Sequence, residues 1–93
     1  IQAKHAYLDP TKILFPLKFR QRQEGDFLYP TGMKGKKLLS KFYKDAKYSQ
    51  QQKEQQWLLC KEEEVIWVVG VRCNQKFVAS EKILEGVLLT LAE

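Results

Sequence analysis

The spacing of apolar residues predicts one clear helix and a shorter second helix. Between positions 36 and 47, apolar side chains recur every three or four residues, a pattern typical of a helix that buries one face. Positions 48–56 are polar and rich in glutamine, and Ser49 is placed to cap a short helix there. The apolar residues of the first helix are Leu38, Leu39, Phe42, Tyr43 and Ala46.

Strand patterns lie on both sides of these helices. Positions 65–69 are apolar without interruption, whereas a strand with one wet face alternates between apolar and polar residues. We therefore expect a central strand covered on both faces, which implies three layers. Pro16 has no amide hydrogen for a ladder, so the second strand should begin at an edge or bulge. The predicted strands are 6–8, 14–23, 57–60, 65–72, 75–79 and 86–91.

Length and composition indicate an ordinary globular module. We interpret residues 1–93 as a single domain, because the chain is too short for a second core. No apolar run approaches the roughly 18 residues of a membrane span, and no signal-peptide pattern is present. Short strands with one convincing helix predict an α+β fold, built mostly from antiparallel sheet.

The net charge of +5 is concentrated in residues 17–45, called here the basic segment. Eight basic residues stand there against Glu24, Asp26 and Asp45, so the rest of the chain is neutral overall. In the strand, Leu17 and Phe19 should point one way and the cations the other. The basic residues are Lys18, Arg20, Arg22, Lys34, Lys36, Lys37, Lys41 and Lys44.

Three of these lysines favour binding of a polyanion. Lys37, Lys41 and Lys44 are spaced to share one face of the predicted helix, where like charges at i,i+4 cost roughly 0.2–0.5 kcal/mol each. A sequence that accepts this repulsion fits a surface for phosphates. The alternative is a solvated face whose lysine stems cover apolar surface.

The glycine loop (residues 29–35) leads towards this helix. We expect its amide groups and those of the first helical turn to face a phosphate that Lys34 and Lys36 neutralise. The G-x-x-x-x-G-K-[ST] spacing of a P-loop is absent. Gly32 and Gly35 have a second interpretation, in which they only permit a positive φ in a tight turn.

Other side chains suggest structural roles. Cys60 and Cys73 are predicted to be small buried residues in a reducing, cytoplasmic compartment. His5 is the sole histidine, so no zinc site is expected. Asp26 is interpreted as a turn residue that accepts backbone N–H bonds. No nucleophile and base pair is found, so no catalytic residue is predicted.

Aromatic residues divide into candidates for stacking on RNA and candidates for the core. Tyr29 and Tyr48 flank the glycine loop and the lysine-bearing helix, which makes them the stacking candidates. Core packing is the alternative for both. The residues predicted to lie in the core are Trp57, Trp67, Phe42 and Phe77.

The basic segment also carries a recognisable block. It has Leu-Lys-Phe-Arg at 17–20, Glu-Gly-Asp at 24–26 and Tyr-Pro-Thr-Gly-Met-Lys-Gly-Lys-Lys-Leu at 29–38. This block resembles the C-terminal domain of tRNA(Ile)-lysidine synthase, and the similarity extends over roughly residues 6–82. Three departures are Phe27 in place of a usual arginine, Leu58 in place of a common proline, and Lys41 in place of a common acid.

The resemblance implies a fold and a parent activity. Such a domain is similar to a module of phenylalanyl-tRNA synthetase, so we expect a small three-layer domain with a β-sandwich core and one or two short helices. The parent enzyme is a ligase that uses ATP and magnesium, bound in its N-terminal domain, to join lysine to the wobble cytidine of an isoleucine tRNA. The Ser-Gly-Gly-x-Asp-Ser loop of that domain is absent here, and the chain begins at Ile1 rather than Met. We therefore expect a non-catalytic fragment without a cofactor of its own.

The resulting functional prediction is RNA binding in tRNA modification. The expected partners are an isoleucine tRNA, gripped at the acceptor stem, and the catalytic domain of the same chain, with no membrane and no metal. The alternative is a module whose basic face docks on an acidic surface of its own enzyme. The predicted RNA-binding residues are Arg20, Arg22, Lys34, Gly35, Lys36, Lys37, Lys41 and Lys44.

Overall fold

The computed structural model describes residues 5–13, 16–79 and 87–90, and within them eight strands and two helices are formed. The strand pairs are all antiparallel, which confirms the predicted α+β class. The elements are β1 (His5–Leu8), β2 (Leu17–Arg20), β3 (Phe27–Leu28), β4 (Lys37–Leu38), α1 (Leu39–Asp45), α2 (Gln50–Gln55), β5 (Leu58–Lys61), β6 (Glu64–Val68), β7 (Arg72–Cys73) and β8 (Val87–Thr90).

The main sheet has the strand order β2-β5-β6-β7. Strand β6 lies between two neighbours, and four successive residues of it, 65–68, are buried. The expectation of a central strand covered on both faces is thereby confirmed. Strand β2 lies at the edge of the sheet, as expected from the lack of an amide hydrogen on Pro16.

A β-bulge explains why the apolar run does not alternate. Leu59 pairs with Trp67 and Cys60 pairs with Val65, so Ile66 is an extra residue in β6. Ile66 and Trp67 therefore pack into the same core cluster, while Val65 packs into the other.

The two clusters fill opposite faces of the main sheet. Strand β1, which pairs with β8, contributes Ala6 and Leu8 to the first cluster. Helix α1 and strand β3 contribute to the second. The three predicted layers are thus present. The first cluster also contains Ile13, Leu59, Ile66, Trp67, Cys73 and Phe77, and the second consists of Leu28, Leu39, Phe42, Tyr43, Leu58, Cys60, Val65 and Val68.

Helix α1 begins later than its apolar pattern suggests. Lys37 and Leu38 form β4, which pairs with β3, so the helix starts only at Leu39. Its buried residues are Leu39, Phe42 and Tyr43, whereas Leu38 is half exposed. The prediction that Lys37 shares a helix face with Lys41 and Lys44 is therefore wrong, because Lys37 lies in β4 and pairs with β3.

Helix α2 forms as the sequence predicted. The Ser49 hydroxyl accepts a bond from the amide of Gln52 at 3.1 Å, and the Gln52 Oε1 accepts one from the amide of Ser49 at 2.7 Å. These two bonds make a capping box, which satisfies two donors at the helix start. Helix α2 buries none of its residues completely.

Several predicted strands are shorter than expected. The 14–23 strand is confined to β2, with positions 14–15 outside the described residues. The 65–72 strand is divided at Gly70, whose φ of 80° lies in the left-handed region. Positions 75–77 form a turn, and 78 makes only an isolated bridge, so the predicted strand at 75–79 is wrong. The last predicted strand is confirmed as β8.

Both cysteines are buried and free, as predicted. Burial raises the pKa of the Cys60 and Cys73 thiols above the ordinary value. Because the thiolate is the reactive form, a raised pKa lowers the reactivity of both thiols.

Candidate nucleic-acid interface

An internal ion pair fixes the turn after β2. Two guanidinium nitrogens of Arg20 donate to the two carboxylate oxygens of Asp26 at 2.8 and 2.9 Å. The amide of Gln23 donates to the same carboxylate at 2.8 Å, which confirms Asp26 as a turn residue. The bond to Asp26 raises the pKa of Arg20. Arg20 is therefore drawn inward and already paired.

Exposure along β2 does not follow the polarity of its residues. The side chain of Arg20 is 10% exposed, while Phe19 is 59% exposed. The predicted alternation is confirmed, because Phe19 pairs with Leu59 of the first core cluster and Arg20 pairs with Leu58 of the second. Arg20 is shielded because β2 lies at the edge of the sheet, where Asp26 offers a charged partner.

The glycine loop is anchored at its start and exposed at its tip. Arg72 donates to the carbonyl of Thr31 at 2.9 Å, and the amide of Thr31 donates to the carbonyl of Cys73 at 3.1 Å. Gly32 and Gly35 have φ values of 80° and 76°, which confirms their interpretation as positions that need a positive φ. Residues 32–36 are exposed. Arg72 was not singled out in the sequence, because its role depends on a loop 41 positions away.

The expected path from the glycine loop into a helical turn is interrupted. Strand β4 stands between the loop and α1, and the first helical amide, that of Leu39, donates to the carbonyl of Asp26 at 2.8 Å. The prediction that first-turn amides face a phosphate is wrong for this amide, because it already has an internal acceptor.

Lys36 lies over an aromatic ring of the hairpin. Its ammonium is 4.3 Å from the centroid of Phe27, within the range of a cation–π contact. Phe27 occupies the position where the resembling family usually has an arginine. The Phe27 ring therefore positions the ammonium of Lys36 close to the turn, although Phe27 itself is uncharged.

Lys37, Lys41 and Lys44 converge on Asp45. The ammonium of Lys37 is 2.5 Å from a carboxylate oxygen of Asp45. The hydrogen bond from Lys37 lowers the pKa of Asp45, and the charges of Lys41 and Lys44 lower it further. Lys41 and Lys44 are exposed on α1. The three lysines are thus neighbours, although Lys37 lies outside the helix.

Internal pairing leaves the whole positive excess of the basic segment available. Arg20 and Lys37 neutralise Asp26 and Asp45, so Glu24 is the remaining acid of the basic segment. No ion pair within the described residues engages the other cations of the segment. These are Lys18, Arg22, Lys34, Lys36, Lys41 and Lys44.

Arg22 lies next to α2. It lines a cleft there together with Gln21, Gln50, Lys53 and Glu54. Its charge also acts on Tyr43 of α1, so the structure places Arg22 near both helices.

The two tyrosines predicted to stack on RNA already contact neighbouring side chains. Tyr29 lies under the ammonium of Lys76 at 4.5 Å and packs edge-on against Phe27. Tyr48 stacks on Tyr43 at 4.7 Å, with 4° between the ring planes. Their stacking on RNA stays a prediction.

Trp57 is the functional candidate that sequence reasoning missed. It was assigned to the core, but half of its surface, 50%, is exposed. Trp67, Phe42 and Phe77 are buried as predicted. Trp57 precedes Leu58, the first residue of β5, and lines a cleft beside α2. No local signal marks this exposure, because it depends on how α2 meets β5.

Two other kinds of site are absent from the part of the chain that the structure describes. No three His, Cys, Asp or Glu side chains there come together as a group able to hold a metal ion. None of the described helices is long and apolar enough to cross a membrane.

A family model described as the TilS substrate C-terminal domain matches residues 17–87. The chain belongs to this family. The TilS substrate C-terminal domain family covers the basic segment, the main sheet and the start of β8, which confirms the resemblance seen in the sequence.

The relatives of this TilS C-terminal domain are tRNA(Ile)-lysidine synthases. That of Parabacteroides distasonis is 49% identical over 72 residues, which cover 77% of this chain and 16% of that protein. That of Porphyromonas gingivalis is 37% identical over 84 residues, which cover 80% of this chain and 18% of that protein. The chain thus spans less than a fifth of the length of these curated relatives.

A solved structure shares the fold. The structure titled "Crystal structure of TILS C-terminal domain" has a TM-score of 0.82 and 21% identity, and the match covers 97% of this chain and 70% of that chain. The arrangement of antiparallel sheets and two short helices is therefore that of a TilS C-terminal domain.

Proposed function

We propose that this chain is a non-catalytic, tRNA-binding domain of a tRNA(Ile)-lysidine synthase. In this proposal the parent ligase uses ATP and magnesium in another domain to join lysine to the wobble cytidine of an isoleucine tRNA, in the cytoplasm. Family membership and the names of the relatives support this parentage. The domain described here would grip the tRNA, at the acceptor stem.

The observation that carries the proposal is the charge that remains after internal pairing. Six cations of the basic segment have no carboxylate partner among the described residues, against the single acid Glu24. Two aspartates are already paired with cations, and the positive excess remains. Such a surface is suited to binding a polyanion. Duplex RNA is recognised mainly through its phosphates and shape.

The exposed lysines define where the phosphates would lie. Lys34 is at the exposed tip of the glycine loop, and Lys41 and Lys44 are on the exposed side of α1. Lys36 stays exposed above Phe27. If about four phosphates are neutralised, the logarithm of affinity should fall against the logarithm of salt with a slope of about −3.

The test is a titration with tRNA at several salt concentrations. The double variant Lys34→Glu with Lys44→Glu should flatten the slope by about two units and weaken binding to different tRNAs alike, since phosphate contacts carry no sequence information. Lys36 and Lys37 are less suitable positions, because each has an internal partner whose loss would disturb the fold.

A matched control makes the same change of charge at positions outside the basic segment. Lys12 and Lys61 lie outside the basic segment and close to each other, with the Lys61 ammonium 3.4 Å from the Lys12 carbonyl. Lys12→Glu with Lys61→Glu should leave the slope nearly unchanged. Equal losses in both double variants would contradict a defined phosphate surface, and unchanged binding in the first variant, with circular dichroism showing it folded, would refute it.

A second candidate function is docking on an acidic surface of the parent enzyme. It is favoured by the length comparison, because more than four fifths of each relative lies outside the matched domain. In this case Lys34→Glu with Lys44→Glu would leave tRNA affinity intact and weaken association with the catalytic domain.

A further inference from the structure

A cleft between α2 and the start of β5 is distinct from the lysine-bearing surface. Its volume is about 330 Å³, at the lower end of the range of ligand pockets. We call it the tryptophan cleft. The residues that line it are Tyr48, Gln52, Gln55, Gln56, Trp57 and Val69.

Trp57 gives the cleft an aromatic surface that is open to solvent. Half of this side chain is exposed, whereas Trp67, the other tryptophan, is only 2% exposed. A large aromatic ring left in water forfeits the free energy of burial, and such residues often anchor a binding partner. The exposed ring therefore favours a ligand that stacks.

Gln56 holds the walls of the cleft in place. Its Oε1 accepts a bond from the Tyr48 hydroxyl at 2.6 Å, and its Nε2 donates to the carbonyls of Trp57 and Val69, both at 2.9 Å. The amide of Val69 also donates to the Trp57 carbonyl at 3.0 Å. A cleft fixed by such bonds loses little conformational freedom when a ligand enters.

The remaining amides of the cleft suit a neutral, planar, polar ligand. Gln52 uses its Oε1 to cap α2 and keeps both hydrogens of Nε2. Gln55 makes no hydrogen bond with its side chain among the described residues. None of the lining residues carries a charge, so the cleft offers no ion pair to a phosphate.

The cleft is joined to the lysine-bearing helix through two stacked rings. Tyr48 forms one wall and stacks on Tyr43 of α1, the residue that precedes Lys44. Because Lys44 follows Tyr43 on α1, a polynucleotide held at Lys44 would lie on the helix that packs against this wall of the cleft. This adjacency favours a base over an aromatic peptide side chain.

We propose that the tryptophan cleft binds an unpaired nucleobase, which stacks on Trp57 and meets the amides of Gln52 and Gln55 with its polar edge. This inference rests on the proposed function, because the unpaired base would belong to the tRNA that the domain is proposed to bind. Stacking on an aromatic side chain tolerates every base, while side-chain amides complement the edge of adenine. Adenine is therefore the base of choice for a probe.

The first experiment is a fluorescence titration of the chain with a short single-stranded oligoadenylate. Trp57 is exposed and Trp67 is buried, so binding should quench the emission of Trp57. A duplex of the same length should not quench it. In Trp57→Phe the remaining emission, from Trp67, should not change on binding.

Affinities of variants are then compared by the anisotropy of a labelled oligoadenylate. Trp57→Phe should bind nearly as well as the unmodified chain, because the ring is retained. Trp57→Ala should bind about 5- to 100-fold more weakly. The salt dependence of tRNA binding should have the same slope in both variants, because no phosphate contact is removed.

The outcomes separate this inference from the proposed function. Equal affinity of Trp57→Ala and the unmodified chain, or quenching by the duplex alone, would overturn the base site while salt-dependent tRNA binding stands. Stacking of oligoadenylate by a chain that fails to bind tRNA would support the base site and overturn the tRNA proposal. Displacement of oligoadenylate by peptides rich in aromatic residues would assign the cleft to a protein partner.

Discussion

The β5–β6 hairpin and the basic segment use their side chains in opposite ways. In the hairpin, residues 58–60 and 65–68 are buried, and they separate two core clusters. In the basic segment, two cations are paired internally and six remain without a carboxylate partner among the described residues. The hairpin therefore contributes apolar burial, whereas the basic segment adds exposed positive charge to the four residues, Leu28, Leu39, Phe42 and Tyr43, that it supplies to the second cluster.

The side chains of the two regions affect the free energy of folding differently. Burying apolar surface in the hairpin stabilises the fold directly, whereas the lysines of α1 repel one another unless an anion neutralises them. Substitutions in the hairpin should thus change stability, and substitutions of the exposed lysines should change salt-dependent affinity. Three stability measurements, in order of decreasing effect, test this separation.

Ile66→Ala should produce the largest effect. Ile66 is fully buried and is the extra residue of the bulge. Its truncation should lower the free energy of unfolding by about 2–5 kcal/mol, because it removes apolar contacts and leaves a cavity. Urea denaturation measures the change. A loss below about 1 kcal/mol, or a changed salt slope for tRNA in the folded variant, would contradict the separation.

Asp26→Ala tests the place where the two regions meet. The variant leaves the guanidinium of Arg20, a nearly buried group, without its partner and removes the acceptor of the Gln23 amide. We expect a loss of about 1–3 kcal/mol. In a double-mutant cycle, Arg20→Met should recover part of it.

The same variant sharpens the comparison through affinity. Release of Arg20 adds an unpaired cation to the basic segment, so a folded Asp26→Ala domain should bind tRNA slightly more tightly at low salt. Weaker binding would show that the turn geometry, rather than the charge, limits the interface.

Tyr43→Phe should have the smallest effect and the opposite sign. The hydroxyl of Tyr43 is buried without a hydrogen-bond partner among the described residues, and burial raises its pKa. Removing it should stabilise the fold by up to about 1 kcal/mol. Tyr48→Phe is the matched control, because Tyr48 loses its bond to Gln56 and should be destabilised by about 0.5–1.5 kcal/mol. Equal thermal shifts in both variants would show that Tyr43 has an acceptor after all.

The sequence predicted those parts of the fold that depend on local pattern. The uninterrupted apolar run at 65–69 indicated the central strand, and Ser49 indicated the cap of α2. The positions of the cysteines in apolar surroundings indicated their burial.

The parts that failed depend on distant partners. Strands of two residues, such as β3 and β4, carry no periodic signal, so the loss of Lys37 from the helix was not visible. The burial of Arg20 depends on Asp26, which lies across a turn and accepts a hydrogen bond from the guanidinium. The exposure of Trp57 depends on how α2 meets β5, which no local pattern encodes.

The bulge at Ile66 also makes the chain sensitive to length. Because Ile66 is inserted into the β6 ladder, deleting it would restore simple alternation across β5 and β6. Residues 65, 67 and 68 would then keep both their pairing partners and their faces, but the first core cluster would lose the fully buried side chain of Ile66. In-frame deletions should consequently be rare at this codon among functional descendants of the gene, while the exposed tip at Glu62 and Glu63 should accept changes of length far more readily.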